Sequence, residues 1–314
     1  LRVGDAVLKL AAEVRAVFYM LQGKQMLFAR LGTLGETNAA ALELSLRQHE
    51  AGNISDLELA NQQSTYSQSK LDAAQVAAEM RSDREKLNRL MGVWGAQTEW
   101  KMADELPSLP DNFPTERLES LAIAQRLDLA AAKAELGAIV QSLGLTKTYR
   151  YVGSIEFGVN SERATDRQRV TGPTLRLELP IFNHGQGRIA KLKAQLRQAE
   201  RRMEAAAIDI RSDVREARDR ALAKKDLVAY YRDELVPERK RVLDLTLTSY
   251  NSMLKGPYDL LLARQNELAA ERGYIDALRD YWIARADLER AVGGRLTSVR
   301  TKMRDTSKET RIHQ

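Results

Sequence analysis

The 314-residue sequence contains no cysteine and only three histidines, and both shortages exclude chemistry. Without cysteine, this stretch forms no disulfide, no zinc-thiolate site and no thiol nucleophile. His49, His184 and His313 lie far apart and belong to no set with metal-ligand spacing. The sequence therefore predicts no metal, no other cofactor and no catalytic constellation, and we expect that the chain is not an enzyme.

Long apolar runs are also missing. No segment reaches the roughly 18 consecutive apolar residues that a membrane-spanning helix requires, and no signal peptide heads the chain. The sequence opens at Leu1 instead of a methionine, directly in a helical pattern. We therefore expect a cut or processed start, which leaves the missing signal peptide uninformative.

Charge of one sign is not concentrated along most of the chain. The sequence has 49 Lys and Arg against 43 Asp and Glu, a net charge of +6, and the basic excess gathers in a polar tail at residues 295–314. A nucleic-acid binder usually carries a basic face with interleaved aromatic residues, and aromatics make up only 6% here. We therefore predict no nucleic-acid partner.

What the sequence does contain is a duplicated helical pattern. The segment at 57–62 resembles the segment at 260–265, an offset of 203 (260 minus 57), and each follows a glycine-containing turn, at 51–56 and 255–259. The copies end alike at Gly92 and Gly293, where the offset is 201, so a two-residue slip separates them. Both glycines suit helix C-caps, and Asp56 and Asp259 suit N-caps.

Each copy carries a coiled-coil pattern after its turn. Positions spaced by three and four residues define a seam of mostly small residues, which allows a neighbouring helix to approach closely. In the second copy, a long helix from about 187 to 254 precedes the turn, and Pro237 should kink it. The predicted seams are Leu57, Ala60, Ser64, Ser67, Leu71, Ala74, Ala78 and Arg81 in the first copy, and Leu260, Ala263, Glu267, Ala270, Tyr274, Ala277, Tyr281, Ala284 and Leu288 in the second.

Two further segments separate the copies. Three prolines precede a predicted helix at about 115–145, and this connector is as compatible with a plain linker as with a specific role. From Tyr151 the period changes to two, in apolar alternations at 155–159 and 175–181. Taken alone, these residues favour a hairpin with one face on a soluble core over a pair of tilted membrane strands. Two strands do not satisfy their edges in lipid, so a membrane hairpin would need partner strands.

Several motifs resemble the TolC family of outer-membrane efflux proteins. The segment LELPIFNHG at 177–185, which leads into a very long helix, looks like that family's strand-to-helix transition. The segment AQRLDL at 124–129 looks like its Arg-Pro-Asp-Leu stretch, with Leu127 where proline is usual. With the two turn-helix copies, the resemblance extends to about Leu296.

The resemblance implies a mainly α fold with a small β part. Long antiparallel coiled-coil hairpins would form a periplasmic tunnel, and a transmembrane β-hairpin would contribute to a trimeric β-barrel. Family subunits supply four strands each, so the other two strands, the first helices and a signal sequence would precede Leu1. The implied segments are 1–93, the first helical hairpin without its start; 94–150, the connector and helix; 151–182, the membrane hairpin; 183–294, the second helical hairpin; and 295–314, the tail.

The resemblance also implies roles for individual residues. The periplasmic tip, which in the family is the gate and the docking surface of the adaptor, would contain Gly52, Asn53, Ser55, Asp56, Gly256, Pro257, Tyr258, Asp259 and Arg264. Arg264 would pair with an acidic neighbour. In the barrel, Glu156, Asn160, Arg176 and Glu178 would face the lumen, and Ile155, Phe157, Val159, Leu175, Leu177 and Leu179 would face lipid.

The implied protein is a homotrimeric channel subunit of a tripartite efflux or type I secretion system in a Gram-negative outer membrane. It would contact outer-membrane lipid, a periplasmic adaptor (membrane fusion) protein and an inner-membrane pump such as an RND transporter, and it would conduct solutes passively. The alternative is a periplasmic adaptor or coiled-coil scaffold without a pore. That alternative explains the helical hairpins, but neither the alternating strands nor the duplication.

Overall fold

The computed structural model describes residues 1–110, 116–149, 155–163, 169–177 and 185–296. The described part is mainly helical with one two-stranded sheet, as predicted. In chain order the helices are α1 (Arg2–Glu50), α2 (Asp56–Met91), a 3₁₀ turn (Gly95–Thr98), α3 (Leu118–Gln125), α4 (Leu127–Thr148), α5 (Gln186–Tyr230), α6 (Val236–Asn251) and α7 (Pro257–Val292). Strands β1 (Ile155–Arg163) and β2 (Arg169–Leu177) lie between α4 and α5.

One compact unit contains residues 126–210 and the first two residues of the chain. In it, β1 and β2 pair antiparallel, with Ile155 opposite Leu177 and Arg163 opposite Arg169. The ladder therefore includes residues 161–163 and 169–171, beyond the apolar alternations that the sequence indicated at 155–159 and 175–181. The single helix predicted at 115–145 is instead two helices, because Arg126 adopts an extended backbone (φ −64°, ψ 122°) between α3 and α4.

The other unit contains residues 3–125 and 211–314. Its core is a series of small apolar clusters between helices. Near the connector, Leu106 packs with Val228 of α5 and with Tyr281 of α7. Further clusters join α1 to α2, one formed by Val17, Leu21 and Leu87 and another by Leu27, Leu31 and Val76.

The connector between the repeats is fixed to this unit through its backbone carbonyls. Gln22 Nε2 of α1 donates to the carbonyl of Glu105 at 2.6 Å, and Trp282 Nε1 of α7 donates to that of Pro107 at 2.8 Å. Arg84 Nη2 of α2 donates to the carbonyl of Trp100 at 2.6 Å. Since three helices bind it, this stretch is a structural strap and not a plain linker.

The second helices of the two repeats, α2 and α7, align at a single sequence offset. Helices α2 and α7 both contain 36 residues, and their first and last residues differ by 201 (257 minus 56 and 292 minus 91). Gly92 and Gly293 close them in the left-handed conformation, with φ of 70° and 85°, as predicted. The two-residue slip inferred from sequence similarity is therefore absent at the helix ends.

The buried faces confirm the predicted seam in α7 and contradict the one in α2. In α7 every predicted seam residue is buried or half-buried, whereas all eight predicted seam residues of α2 are exposed. Two residues correspond to a rotation of about 200° around the helix axis. An alignment error of two residues therefore assigns the seam to the opposite face of α2. The positions of α2 that lie 201 before seam positions of α7 are buried or half-buried, among them Gln62, Ser69, Val76, Asp83 and Leu87, which correspond to Ala263, Ala270, Ala277, Ala284 and Leu288.

The predicted interruption at Pro237 is present as a π-helical segment, Tyr231–Leu235, directly before α6. Proline has no N–H to donate to the preceding turn, and its ring displaces the carbonyl four residues earlier. The Tyr231 ring lies against α7 at Gly273, where an added Cβ would approach ring atom Cε1 to 2.5 Å. This contact gives a packing reason for a glycine in the middle of α7.

Candidate functional site: the helical tips and the strand pair

The first tip joins α1 to α2. Gly52 takes a left-handed conformation (φ 72°), and the N–H groups of Gly52 and Asn53 return to the last carbonyls of α1. The N-cap is Ser55 and not Asp56. The Ser55 hydroxyl accepts the Glu58 N–H at 3.2 Å, while the Glu58 carboxylate accepts the Ser55 N–H at 2.9 Å. This capping box satisfies two orphan donors at once, which a cap at Asp56 would not.

Asp56 is instead the first helical residue, and its carboxylate lies 2.6 Å from His49 Nε2. The contact links the last turn of α1 to the first turn of α2. His49 was not among the predicted tip residues. In the sequence, the contact is indicated only by the seven-residue separation of His49 from Asp56 across the glycine turn.

The second tip joins α6 to α7, and its N-cap is Gly256 and not Asp259. Asp259 lies three residues into the helix, where its Oδ2 accepts the Gly256 N–H at 3.1 Å. Pro257 occupies the first turn, where a missing N–H has no cost. Lys255 Nζ lies 3.5 Å from Asp259 Oδ1. The predicted N-cap role is thus wrong for both aspartates, although both lie in the first helical turn.

The second tip carries two exposed apolar residues that the prediction missed. Met253 has a left-handed backbone (φ 58°) and is 94% exposed, and Leu254 follows at 78%. Met253 lies 201 residues after Gly52, so the two tips share one backbone conformation with different residues. A left-handed methionine is uncommon and strained. Alignment at offset 201 would have found this position, since Gly52 indicates the turn that it must make.

The first turns of α2 and α7 border a common cleft of about 210 Å³. Of the predicted tip residues, only Tyr258 lines it. Amide and hydroxyl groups dominate the α2 side, while Leu261 and Leu262 of α7 contribute apolar surface. The remaining lining residues are Glu58, Asn61, Gln62, Thr65 and Gln265.

Arg264 has the acidic partner that was predicted. Its Nη1 lies 2.5 Å from Glu267 Oε2 on the same helix. The Glu267 side chain is only 5% exposed, so the ion pair puts a charge into a seam that is otherwise mostly alanine, tyrosine and leucine. A buried carboxylate is tolerated only when it is paired, so Glu267 depends on Arg264.

The strand pair has one apolar and one charged face. Phe157 pairs with Leu175, and Val159 lies two residues further on the same face. Their exposed fractions are 83%, 64% and 78%, so no described residue covers them. On the other face Glu156 pairs with Arg176, whose Nη1 lies 3.6 Å from Glu156 Oε2.

The other predicted barrel residues are placed less completely. Asn160 is exposed on the face of Glu156, opposite Gly172. Ile155 and Leu177 are placed by backbone register only, as an opposed pair. Glu178 and Leu179 lie outside the described residues. The predicted alternation is present at 155–159 and at 175–177, whereas polar residues continue the same face beyond Val159: Ser161, Arg163, Arg169 and Thr171.

Among the helices between Arg2 and Val292, none combines the length and the low polarity needed to cross a bilayer. In the same part of the chain, no three His, Cys, Asp or Glu side chains are grouped as metal ligands.

Solved structures share this fold at low sequence identity. A membrane protein from Pseudomonas aeruginosa aligns with a TM-score of 0.76 and 22% identity, over 93% of this chain and 67% of that one. The open-state MtrE outer membrane channel of Neisseria gonorrhoeae aligns with a TM-score of 0.70 and 18% identity, over 93% and 67%. The outer membrane protein VceC of Vibrio cholerae aligns at 0.70 and 15%, over 91% and 70%.

A sequence comparison identifies the family directly. No curated protein matches the chain significantly. The family profile described as outer membrane efflux protein matches residues 118–294, from the start of α3 to the end of α7. That match covers more than half of the chain and includes the strand pair and the whole second repeat. The chain therefore belongs to the outer membrane efflux protein family.

Proposed function

We propose that this chain is a subunit of a homotrimeric outer-membrane channel that conducts solutes passively from the periplasm to the exterior. The observation that carries the proposal is the two-faced hairpin in a protein of this family. An exposed apolar face suits lipid, and a charged face suits a water-filled lumen. A two-stranded sheet leaves unpaired backbone at both outer edges, which lipid does not tolerate, so the barrel would close with strands of other subunits.

The energy for transport would come from a partner. The chain would operate in a tripartite efflux or type I secretion system, with an inner-membrane pump such as an RND transporter and a periplasmic adaptor. This partnership is supported by family membership and by the long paired helices, which suit a periplasmic conduit.

The tips would form the gate and the adaptor-docking surface. Both tips carry a carboxylate in the first helical turn, Asp56 beside His49 and Asp259 beside Lys255. In a trimer these carboxylates would form rings, which favour cations. Met253 and Leu254 extend the predicted docking surface, because large exposed apolar side chains often mark protein contacts. Gly52, Asn53, Ser55, Gly256, Pro257 and Tyr258 would shape the two turns.

Single-cysteine labelling tests the hairpin, because these 314 residues contribute no background cysteine. We expect Phe157→Cys and Leu175→Cys, in intact cells, to react with a lipid-phase probe and to resist a water-soluble maleimide. Glu156→Cys and Arg176→Cys on the opposite face serve as matched controls and should show the reverse. Protection of Phe157→Cys from both probes would mean that it packs against protein, which would favour the scaffold without a pore.

Conductance tests the channel and its gate. The purified full-length protein should run as a detergent-extracted trimer and conduct ions in a planar bilayer. Asp56→Asn combined with Asp259→Asn should lower cation selectivity, whereas Asp244→Asn on the exposed face of α6 should leave it unchanged. A soluble monomer or dimer without conductance would contradict the channel and favour an adaptor-like scaffold.

A further inference from the structure

The two helical segments that flank the strand pair are basic and contain no acidic residue. Residues 136–149 at the end of α4 and residues 185–199 at the start of α5 lack Asp and Glu entirely. They carry five cations: Lys147, Arg188, Lys191, Lys193 and Arg197. Residues 14–35 of α1 also lack Asp and Glu, but their three cations, Arg15, Lys24 and Arg30, pair with carboxylates of α2 and α7. We call the five residues the basic collar.

The collar cations are exposed and unpaired. All five side chains are exposed, and none takes part in an ion pair with another described residue. Lys24 of α1, by contrast, lies 2.9 Å from Glu79 Oε2 and 2.7 Å from Asp83 Oδ2. Since exposed cations without counter-ions retain their full attraction for anions, the collar is available to an external partner.

The strand register puts both parts of the collar at one end of the hairpin. Ile155 at the start of β1 is opposite Leu177 at the end of β2, so the chain enters and leaves the sheet at the same end. At the opposite end, residues 161–169 mix two acids with three cations. The charge asymmetry therefore distinguishes the two ends of the hairpin.

An apolar surface continues from this end. Phe157 and Leu175 lie on the exposed face of the first few residue pairs. Tyr149, one residue beyond α4, is 61% exposed. An amphipathic tyrosine and several Lys or Arg beside an apolar surface form the pattern of a membrane interface, where the ring lies at the headgroup level.

The cations are distributed around α5 and not along one face. At about 100° per residue, Lys191 and Lys193 lie roughly 300° and 140° from Arg188 around the helix axis. A polymeric anion lying along the helix would need the charges on one face. A layer of headgroups that surrounds the helix fits charges that point in several directions.

We propose that Lys147, Arg188, Lys191 and Lys193 bind the phosphate groups of anionic phospholipids in the leaflet next to this end of the hairpin. The inference rests on the proposed membrane location of the hairpin. Lys193 lies about 10 Å along the axis from the start of α5, near the screening length at physiological salt, whereas Arg197 lies about 17 Å away. Arg197 should therefore contribute least.

The test uses the full-length trimer in nanodiscs that contain phosphatidylcholine with or without phosphatidylglycerol. Retained lipid is measured by native mass spectrometry after gentle delipidation. The variant Lys147→Gln, Arg188→Gln, Lys191→Gln, Lys193→Gln is compared with a control that also removes four exposed cations: Lys86→Gln, Arg89→Gln, Arg239→Gln, Arg241→Gln. Each cation near an anionic surface is worth about five-fold in binding, so the collar variant should lose at least about ten-fold of the phosphatidylglycerol preference.

The control and a charge-conserving variant, Lys147→Arg with Arg188→Lys, should both retain the preference. In 1 M salt, where the screening length is about 3 Å, the preference should disappear for the unmodified protein. If the quadruple variant does not insert, Arg188→Gln with Lys191→Gln replaces it and should lose about 25-fold.

Three results would overturn the inference: an undiminished preference in the collar variants, an equal loss in the control, or full displacement of the lipid by inorganic phosphate. A conductance measurement distinguishes failure of the lipid-binding inference from failure of the proposed channel function. A conducting protein without lipid preference would reject the collar alone, whereas a protein that neither inserts nor conducts would reject the channel.

Discussion

Helices α2 and α7 have the same length, the same left-handed glycine at their C-terminal end and the same position in their repeat, yet they bury different chemistry. Ala270 and Ala277 of α7 correspond to Ser69 and Val76 of α2, and Ala263 corresponds to the buried amide of Gln62. Far more of α7 than of α2 is buried within this chain. Caps and turns therefore define the repeat, whereas the buried residues of the two helices differ.

One polar feature is shared by both repeats. Lys24 Nζ of α1 lies 2.9 Å from Glu79 Oε2 of α2, and Lys224 Nζ of α5 lies 2.9 Å from Asp280 Oδ2 of α7. The two carboxylates differ by 201 (280 minus 79), so each repeat joins its long helix to its second helix at the same level. The pairs therefore allow the repeats to be compared at equivalent positions.

The largest difference in the free energy of unfolding is expected at another pair of equivalent positions, whose side chains differ in burial. Tyr281 of α7 is fully buried among Leu106, Val228 and Leu278, whereas Met80 of α2, 201 residues earlier, is half-buried. We expect Tyr281→Ala to lower the free energy of unfolding by about 3–5 kcal/mol, and Met80→Ala by less than about 2 kcal/mol. Urea unfolding followed by circular dichroism measures both. Equal losses would mean that α2 is as buried as α7 in the assembled protein.

The next effect concerns the close approach of α5–α6 to α7. Gly273→Ala should destabilise by about 1–3 kcal/mol, because the new Cβ would lie 2.5 Å from Tyr231 Cε1 and overpacking outweighs the helix propensity of alanine. The matched control is Gly32→Ala in α1, where an added Cβ meets no atom within 4 Å. That variant should gain up to about 1 kcal/mol. A stabilising Gly273→Ala would show that Tyr231 moves away without cost.

Much of this fold could be predicted from local chemistry, and the error in α2 shows where that fails. The glycine C-caps, Pro237 and the two-residue alternation each act through the backbone of a few residues, and the structure confirms them. The seam of α2 depends on which face meets a neighbour, and Gln62, Ser69 and Asp83 give no apolar signal. Similarity between 57–62 and 260–265 therefore selected the wrong phase.

The candidate site shows the same limit. The Glu156–Arg176 pairing and the exposed Phe157 follow from period two, so they could be predicted. The N-cap of α2 was also predictable, because Glu58 follows Ser55 at the capping-box spacing, whereas Leu59 stands at that spacing after Asp56. The position of Met253 could be found only with the 201-residue offset that the helix ends define.

The paired carboxylates should respond to pH with a definite sign. Partial burial opposes the charged form of Asp280, but hydrogen bonds from Lys224 and Arg279 prevail and lower its pKa. The hydrogen bond from Lys24 lowers the pKa of Glu79. A carboxyl whose pKa is lower in the folded state adds stability above its unfolded pKa, and this is lost as pH falls through the folded pKa.

We therefore expect Asp280→Asn to cost about 1 kcal/mol at pH 7, and Glu79→Gln less, because Glu79 is more exposed. Urea unfolding at pH 7 and in strong acid, below both pKa values, gives the comparison. Both costs should vanish in acid, where the carboxyls of the folded and unfolded protein are protonated. A cost that persists in acid would indicate lost packing instead of lost charge.

The smallest effect should come from the two N-caps, which also occupy equivalent positions (256 minus 55 is 201). Ser55 caps α2 with its hydroxyl, whereas Gly256 has no side chain to offer. Ser55→Ala should cost about 1 kcal/mol and Ser55→Gly a few tenths, while Gly256→Ser should gain a few tenths. Gly256 has ordinary backbone angles, and its nearest atom to an added Cβ is 3.8 Å away, so a serine fits. Amide exchange of Glu58 and Asp259 measures each cap locally. If Ser55→Ala left the exchange of Glu58 unchanged, the capping box would not stabilise the tip, and the two turns would be held by Gly52 and Met253 alone.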